Sequence, residues 1–184
     1  MNAIYAAGIN GEFALEDGSL PWKKNPGLQD ACRKDMDFFR LMTSRKAVIM
    51  GFNTFKTLPA PLKSRLNIVI KRGSDQQKAR RTDKEFQLFS SIENALDALD
   101  FLCPDDIFLI GGKKLLTEAF IKNLVDGIVY ETVFCQNFPD ASIFMKRPEN
   151  FSLKNCEKTG ILIFNQYKKA EAPEAQFQSG LQNP

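Results

Sequence analysis

Short β-branched apolar runs alternate along this chain with helical patterns, and that alternation restricts the fold more than any single motif. The runs are Ala3 to Ile9, Ala47 to Met50, Ile68 to Ile70, Ile107 to Ile110, Ile128 to Val133 and Ile161 to Phe164. Each is too short for a buried helix and has the length and branching of a buried strand. Helical spacing fills several of the gaps. It runs over Leu28 to Thr43, over Ile92 to Leu102 and over Lys114 to Asn123, the second introduced by Ser90-Ser91-Ile92-Glu93, which reads as a capping box. Strands alternating with helices predict an α/β fold with a central, mostly parallel sheet and helices on both faces. The last two strand patterns, Phe151 to Lys158 and Ile161 to Lys168, lie too close for a crossover and should form an antiparallel C-terminal hairpin.

With 184 residues the chain fits one domain, expected over 1–169, followed by a polar tail over 170–184 expected to be disordered. Two further stretches read as irregular. Asn10 to Pro26 carries two glycines and two prolines and should be a long mobile loop of functional interest; Lys71 to Lys84 is polar and rich in cations. Even so, 25 basic against 22 acidic residues leave only +3, too little to argue for a nucleic-acid partner. Histidine is absent, which excludes a Ser-His-Asp triad, a Cys-His dyad and any histidine-ligated metal. Proton chemistry then rests on Asp, Glu, Lys, Tyr or Cys. The four cysteines, Cys32, Cys103, Cys135 and Cys156, form no Cys-x-x-Cys pair, and are expected to be buried, reduced thiols of a cytosolic protein. No metal site is expected. The N-terminus lacks a signal-peptide pattern and no window approaches a membrane span.

The helix pattern from Leu28 to Thr43 contains the most informative residue. At about 100° per residue, Leu28, Cys32, Met36, Phe39 and Met42 share one stripe. Asp35 falls inside it, flanked by Leu28, Ala31, Phe39 and Met42, whereas Asp37 points away toward Arg33 and Arg40. Asp37 is therefore a solvated charge. Asp35 is a carboxylate aimed at apolar surroundings, where desolvation should raise its pKa. Such an acid is either a functional group or a junction residue bonded to backbone or buried water.

Ligands in open α/β sheets bind beyond the carboxyl ends of strands. One strand here runs into Gly111-Gly112, followed by Lys113 and Lys114 at the start of a helix, a turn that is either merely tight or a phosphate cradle. Another ends in Gly51-Phe52-Asn53-Thr54, and Lys71-Arg72 follows a third, with Arg65 just before it as a candidate for capturing a carboxylate. Each cation could equally be a solvated surface charge.

Taken in order, these pieces resemble dihydrofolate reductase. The matching residues are Ala6-Ala7, Leu20-Pro21-Trp22, Asp35 with Phe38-Phe39 and Thr43, Val48-Ile49-Met50-Gly51 with Thr54, Pro61-Leu62 with Arg65-x-Asn67-Ile68, and Ile110-Gly111-Gly112. The resemblance covers about residues 2–168. It implies that family's fold, and NADPH-dependent reduction of 7,8-dihydrofolate to 5,6,7,8-tetrahydrofolate by a monomer in the cytoplasm. It implies that Asp35 holds the pterin and supports protonation of N5, with Trp22 placing a water. The backbone carbonyls of Tyr5 and Ile110 would take the pterin amino group. Met36, Phe39, Leu58 and Leu62 would line the substrate pocket, and Arg65 would pair with the α-carboxylate of the glutamate tail. Ala7 would meet the nicotinamide under a lid carrying Ala14, Ser19 and Leu20. Gly51, Asn53, Thr54, Ile110, Gly111, Gly112, Lys113, Lys114 and Leu115 would surround the rest of the cofactor, with Lys71 and Arg72 reading its 2′-phosphate.

Several positions depart from the pattern. Ala14-Leu15 replaces Ile-Gly in the lid, Lys113 replaces a third glycine, Leu116 a tyrosine and Phe52 an arginine, and the segment Lys23 to Lys34 is long. Glu131 or Thr132 stands where the family has a threonine behind its acid. If that residue is Glu131, a second carboxylate would titrate with Asp35. A divergent member is expected. A pyrimidine reductase of the same fold, a decayed binding module and a nucleic-acid binder using Lys71 to Lys84 are the competing readings, the first disfavoured by Trp22 and Asp35.

Overall fold

The computed structural model describes residues 1–73 and 85–170. Most of the basic stretch up to Lys84, and all of the tail after Ala170, lie outside the described residues. Eight strands form one sheet: β1 (Asn2–Gly8), β3 (Ala47–Gly51), β4 (Leu66–Ile70), β5 (Gln87–Phe89), β6 (Ile107–Gly111), β7 (Ile128–Phe134), β9 (Phe151–Thr159) and β10 (Leu162–Lys169). Their order is β5-β4-β3-β6-β1-β7-β10-β9. The first six are mutually parallel. β10 runs antiparallel to β7, and β9 antiparallel to β10, as the short gap after Thr159 requires.

Strand alternation divides the core in two. Ala3, Tyr5, Ile49, Ile68 and Leu109 face α3 (Ile92–Asp97) and α4 (Lys113–Ile121) on one side. Ile4, Val48, Met50, Val69 and Phe108 face α1 (Gln29–Thr43) and α2 (Phe52–Thr57) on the other. Burial on both faces explains why these strands read as continuous apolar runs.

Three local expectations are corrected. The helix cap is Ser91, whose hydroxyl accepts from the Asn94 amide, while Ser90 accepts from the Asn94 side chain; the helix stops at Asp97 instead of reaching Leu102. The segment 10–26 is not a continuous loop. It contains a short strand, β2 (Glu12–Ala14), paired with β8 (Ile143–Phe144), and two 3-10 turns at Pro21–Lys24 and Pro26–Leu28. Finally, the cysteines are free but not buried: Cys103 and Cys156 are exposed, Cys32 and Cys135 half-buried.

Candidate active site

Helix α1 presents Ala31 and Asp35 to the sheet, with Leu28 buried just before its start and Cys32, Met36, Phe39 and Met42 half-buried beside them. Asp35 is only 9% exposed. Burial raises its carboxyl to about 6, against which a hydrogen bond from the Thr132 hydroxyl pulls downward. Asp37, two residues on, is exposed and bonded to Arg40 at 2.8 Å; Arg33 pairs with Asp30 instead of Asp37. One helix thus holds a solvated acid and a perturbed one, two residues and about 200° of helix rotation apart.

Trp22 is 1% exposed, its ring stacked 4.5 Å from Phe134 and edge-on to Phe138. It shares a cluster with Leu28 and Ala31, with Leu20 packed against the same group. Ala14 is buried in β2. Ser19 closes a turn on Asp17 through its amide at 2.8 Å and its hydroxyl at 2.6 Å.

Phe39, Leu58, Leu62 and Ile110 meet in one apolar group over Ile4, Val48 and Met50. Leu62 is fixed by Asn67, whose side chain bonds both its amide and its carbonyl at 3.0 Å. Arg65 lies beside this group. Its Nε donates to Thr43 Oγ1 at 2.9 Å, its Nη1 donates to the Lys63 carbonyl at 2.8 Å, and its guanidinium rests 5.7 Å from the Phe39 ring centre. Among the described residues its Nη2 makes no hydrogen bond, so one edge of the fork stays available for a carboxylate.

At the carboxyl ends of the central strands, β3 and β6 meet. A Cβ on Gly51 would stand 3.8 Å from the Gly112 amide nitrogen, and one on Gly112 would stand 2.9 Å from Thr54 Oγ1. Gly111 has φ +131°, and Gly112 caps the nine-residue helix α4, with Lys113 and Lys114 exposed in its first turn. The Leu115 side chain is buried in the core. Two expected cofactor residues make other contacts within the protein. Arg72 is paired with Glu118 of α4. Lys71 Nζ lies 4.9 Å from the ring centre of Phe52. Asn53 is exposed beside them.

Glu131 is the main correction. In β7 adjacent residues point to opposite faces, and Thr132, not Glu131, reaches Asp35. Glu131 faces the α3 and α4 side, where it accepts from Tyr5 and Tyr167, so of the two alternatives Thr132 stands behind the acid and Glu131 does not titrate with it as a pair. Tyr5 and Ala7 lie buried in β1 next to it. The sequence reading missed Glu12, which is buried in β2 and accepts from the Asn10 amide at 2.8 Å, the Asn10 side chain at 3.1 Å and the Phe138 amide at 3.2 Å. A lone acid in a three-residue strand has no periodicity to mark it; the adjacent Gly8 is the only cue, since a Cβ there would stand 2.5 Å from Glu12 Oε2.

Residues 12–160 match the family model described as Dihydrofolate reductase. Among curated proteins, a dihydrofolate reductase of Bacillus subtilis is 32% identical over 106 residues, 57% of this chain and 54% of that protein, so this match spans about half of the relative's length. One from Schistosoma mansoni is 30% identical over 145 residues, 72% of this chain and 70% of the relative. A dihydrofolate reductase type 8 of Escherichia coli is 29% identical over 144 residues, 71% of this chain and 79% of the relative.

Proposed function

The chain belongs to the dihydrofolate reductase family, and on that premise we propose that it reduces 7,8-dihydrofolate to 5,6,7,8-tetrahydrofolate with NADPH. One observation carries the proposal: Asp35, buried on the inner face of α1, has its carboxyl raised to about 6 by desolvation, and among the described residues the Thr132 hydroxyl is the one group that pulls it back. A carboxylate so placed is completed by a ligand that brings its own donors, and a pterin offers two, N3–H and the 2-amino group. Protonated, the same group donates, which supports delivery of a proton toward N5.

The other groups hold the substrate still. The carbonyls of Tyr5 and Ile110 would accept from the pterin amino group, and Trp22 would exclude bulk water from the pocket. Met36, Phe39, Leu58 and Leu62 would cover the aminobenzoyl ring, and the free edge of Arg65 would take the tail carboxylate. Such positioning is a large part of catalysis when the reacting groups come from the ligands.

The residues present also fit a dinucleotide. Gly112 leaves a bare backbone edge beside Thr54 where a Cβ would intrude, and the free amides of α4 follow it with two lysines. Gly51, Asn53, Thr54, Gly111, Gly112, Lys113 and Lys114 would hold the pyrophosphate, and Lys71 the adenosine phosphate. Ala7 would meet the nicotinamide, covered by the segment with Ala14, Ser19 and Leu20. When bound, NADPH supplies the hydride.

The test is steady-state turnover of dihydrofolate, followed by loss of reduced-nicotinamide absorbance. Wild type should oxidise NADPH only when dihydrofolate is present. Arg65→Leu should raise the KM for dihydrofolate about tenfold, one charge-assisted contact's worth. It should leave a dihydropterin lacking the glutamate tail unaffected. An equal loss with both substrates would contradict the assignment of Arg65, and no turnover in wild type would contradict the substrate.

A further inference from the structure

Glu131 is a buried carboxylate that the proposed reduction does not use, and it is the centre of a hydrogen-bonded cluster. Its Oε1 accepts from the Tyr5 hydroxyl at 3.1 Å; its Oε2 accepts from the Tyr167 hydroxyl at 3.0 Å and from the Asn165 side chain at 3.3 Å. Arg147 Nη1 lies 3.8 Å from the same Oε2 and donates to the Tyr167 hydroxyl, its guanidinium 4.5 Å from that ring's centre. Tyr5 and Asn165 are the direct neighbours of Glu131 on the flanking strands. Burial and the Glu131 charge together push both phenols up, Tyr167 to about 12, so both remain donors at every working pH.

Two routes lead from this cluster to the β2–β8 pair. The Tyr5 ring packs against Phe13 of β2, centre to centre 6.3 Å. Arg147 follows Met145 by two residues, and the Met145 amide donates to the Gly11 carbonyl at 2.7 Å. A Cβ on Gly11 would stand 2.6 Å from the Met145 carbonyl oxygen, so the two backbones are in close contact. Phe13, Tyr5, Met145 and Tyr167 belong to one apolar group. Simple apolar packing would have needed no charge here, and a carboxylate of this kind is costly to bury unless all its acceptors are used.

We propose that Glu131 is a positioning residue for the reaction of this site: it fixes Tyr5 and Arg147, and through them seats the segment 11–14 against the carboxyl end of β1. The link to reaction rests on the reductase reading; the seating itself does not. Glu131→Leu removes the acceptor for both phenols and strands Arg147. Glu131→Gln keeps an acceptor for Tyr5 and loses the attraction for Arg147, and Tyr5→Phe cuts one route alone.

The test compares amide hydrogen exchange, segment by segment, with NADPH affinity read from Trp22, the single tryptophan. In Glu131→Leu, exchange over 11–14 and 143–147 should rise about tenfold more than over β3, and the Kd for NADPH should rise about fivefold. Tyr5→Phe and Glu131→Gln should fall between it and wild type, and the double variant Tyr5→Phe/Glu131→Leu should be no worse than Glu131→Leu alone. A uniform rise in exchange across the sheet, with NADPH affinity within twofold of wild type, would overturn the proposal and leave Glu131 a structural strut. Should Glu131→Leu not fold, the two milder variants decide by the same criteria. A wild type that leaves dihydrofolate untouched contradicts the reductase reading alone, because the exchange pattern judges the seat without any substrate.

Discussion

Asp35 sits where folding and the proposed chemistry make opposite demands. Its carboxyl titrates at about 6 when folded, above the ordinary 3.8, so between these values the folded state holds a proton that the unfolded state has lost. Stability from this group is therefore full below about pH 4 and falls as pH rises through 6, by on the order of 2–3 kcal/mol. Asp35→Asn should accordingly be more stable than wild type at pH 7, with the gap closing near pH 4, as thermal melts at the two values would register. A gap independent of pH would contradict the burial argument. Gly112→Ala makes a separate prediction. Among the described residues the added Cβ meets only the Thr54 hydroxyl, which can rotate away, so the unfolding free energy from denaturant titration should fall by about 1 kcal/mol or less while NADPH binding weakens about tenfold. Asp35 was legible in sequence because a helix repeats every 3.6 residues and an acid on the apolar stripe stands out. Glu131 and Thr132 were not separable, because a strand alternates at every residue and a one-residue uncertainty in register exchanges the faces.

Among the elements, the segment around β2 carries the clearest consequence of close packing. A methyl on Gly8 would stand 2.5 Å from Glu12 Oε2 and 2.7 Å from the Phe138 ring, and Glu12 is pinned by three donors. Gly8→Ala should therefore cost about 2–4 kcal/mol in denaturant unfolding, with amide exchange rising first over 8–14 and 136–138. An exchange pattern centred on β3 or β4 would contradict this. Ser91→Ala should cost about 1 kcal/mol, the usual loss for an N-cap, whereas Ser90→Ala should cost less. The central parallel strands were readable because both faces are buried and the apolar runs are unbroken. The β2 and β8 pairing was hidden, since its partners lie about 130 residues apart and neither segment has a pattern longer than three residues. Helix α3 was over-extended for a related reason: Leu99 and Leu102 keep helical spacing although the chain there turns, and Leu99 is buried all the same.

Over the whole molecule, the sheet order brings the site together from distant parts of the chain. β1 lies between β6 and β7, so the Gly111-Gly112 turn and Thr132 flank the same strand end, with α1 laid across to deliver Asp35. That convergence could be expected from the α/β pattern but not located by it, because strand order is a tertiary choice. The central claim is that Asp35 is the acid of a dihydrofolate reduction. The most direct measurement is the pH dependence of kcat/KM for NADPH and dihydrofolate in wild type and Asp35→Asn. Wild-type activity should decline as pH rises through about 6, and Asp35→Asn should lose on the order of a hundredfold or more near neutrality but recover in part at low pH, where the substrate arrives already protonated. A variant with the wild-type profile, or a loss equally deep at every pH, would contradict that claim.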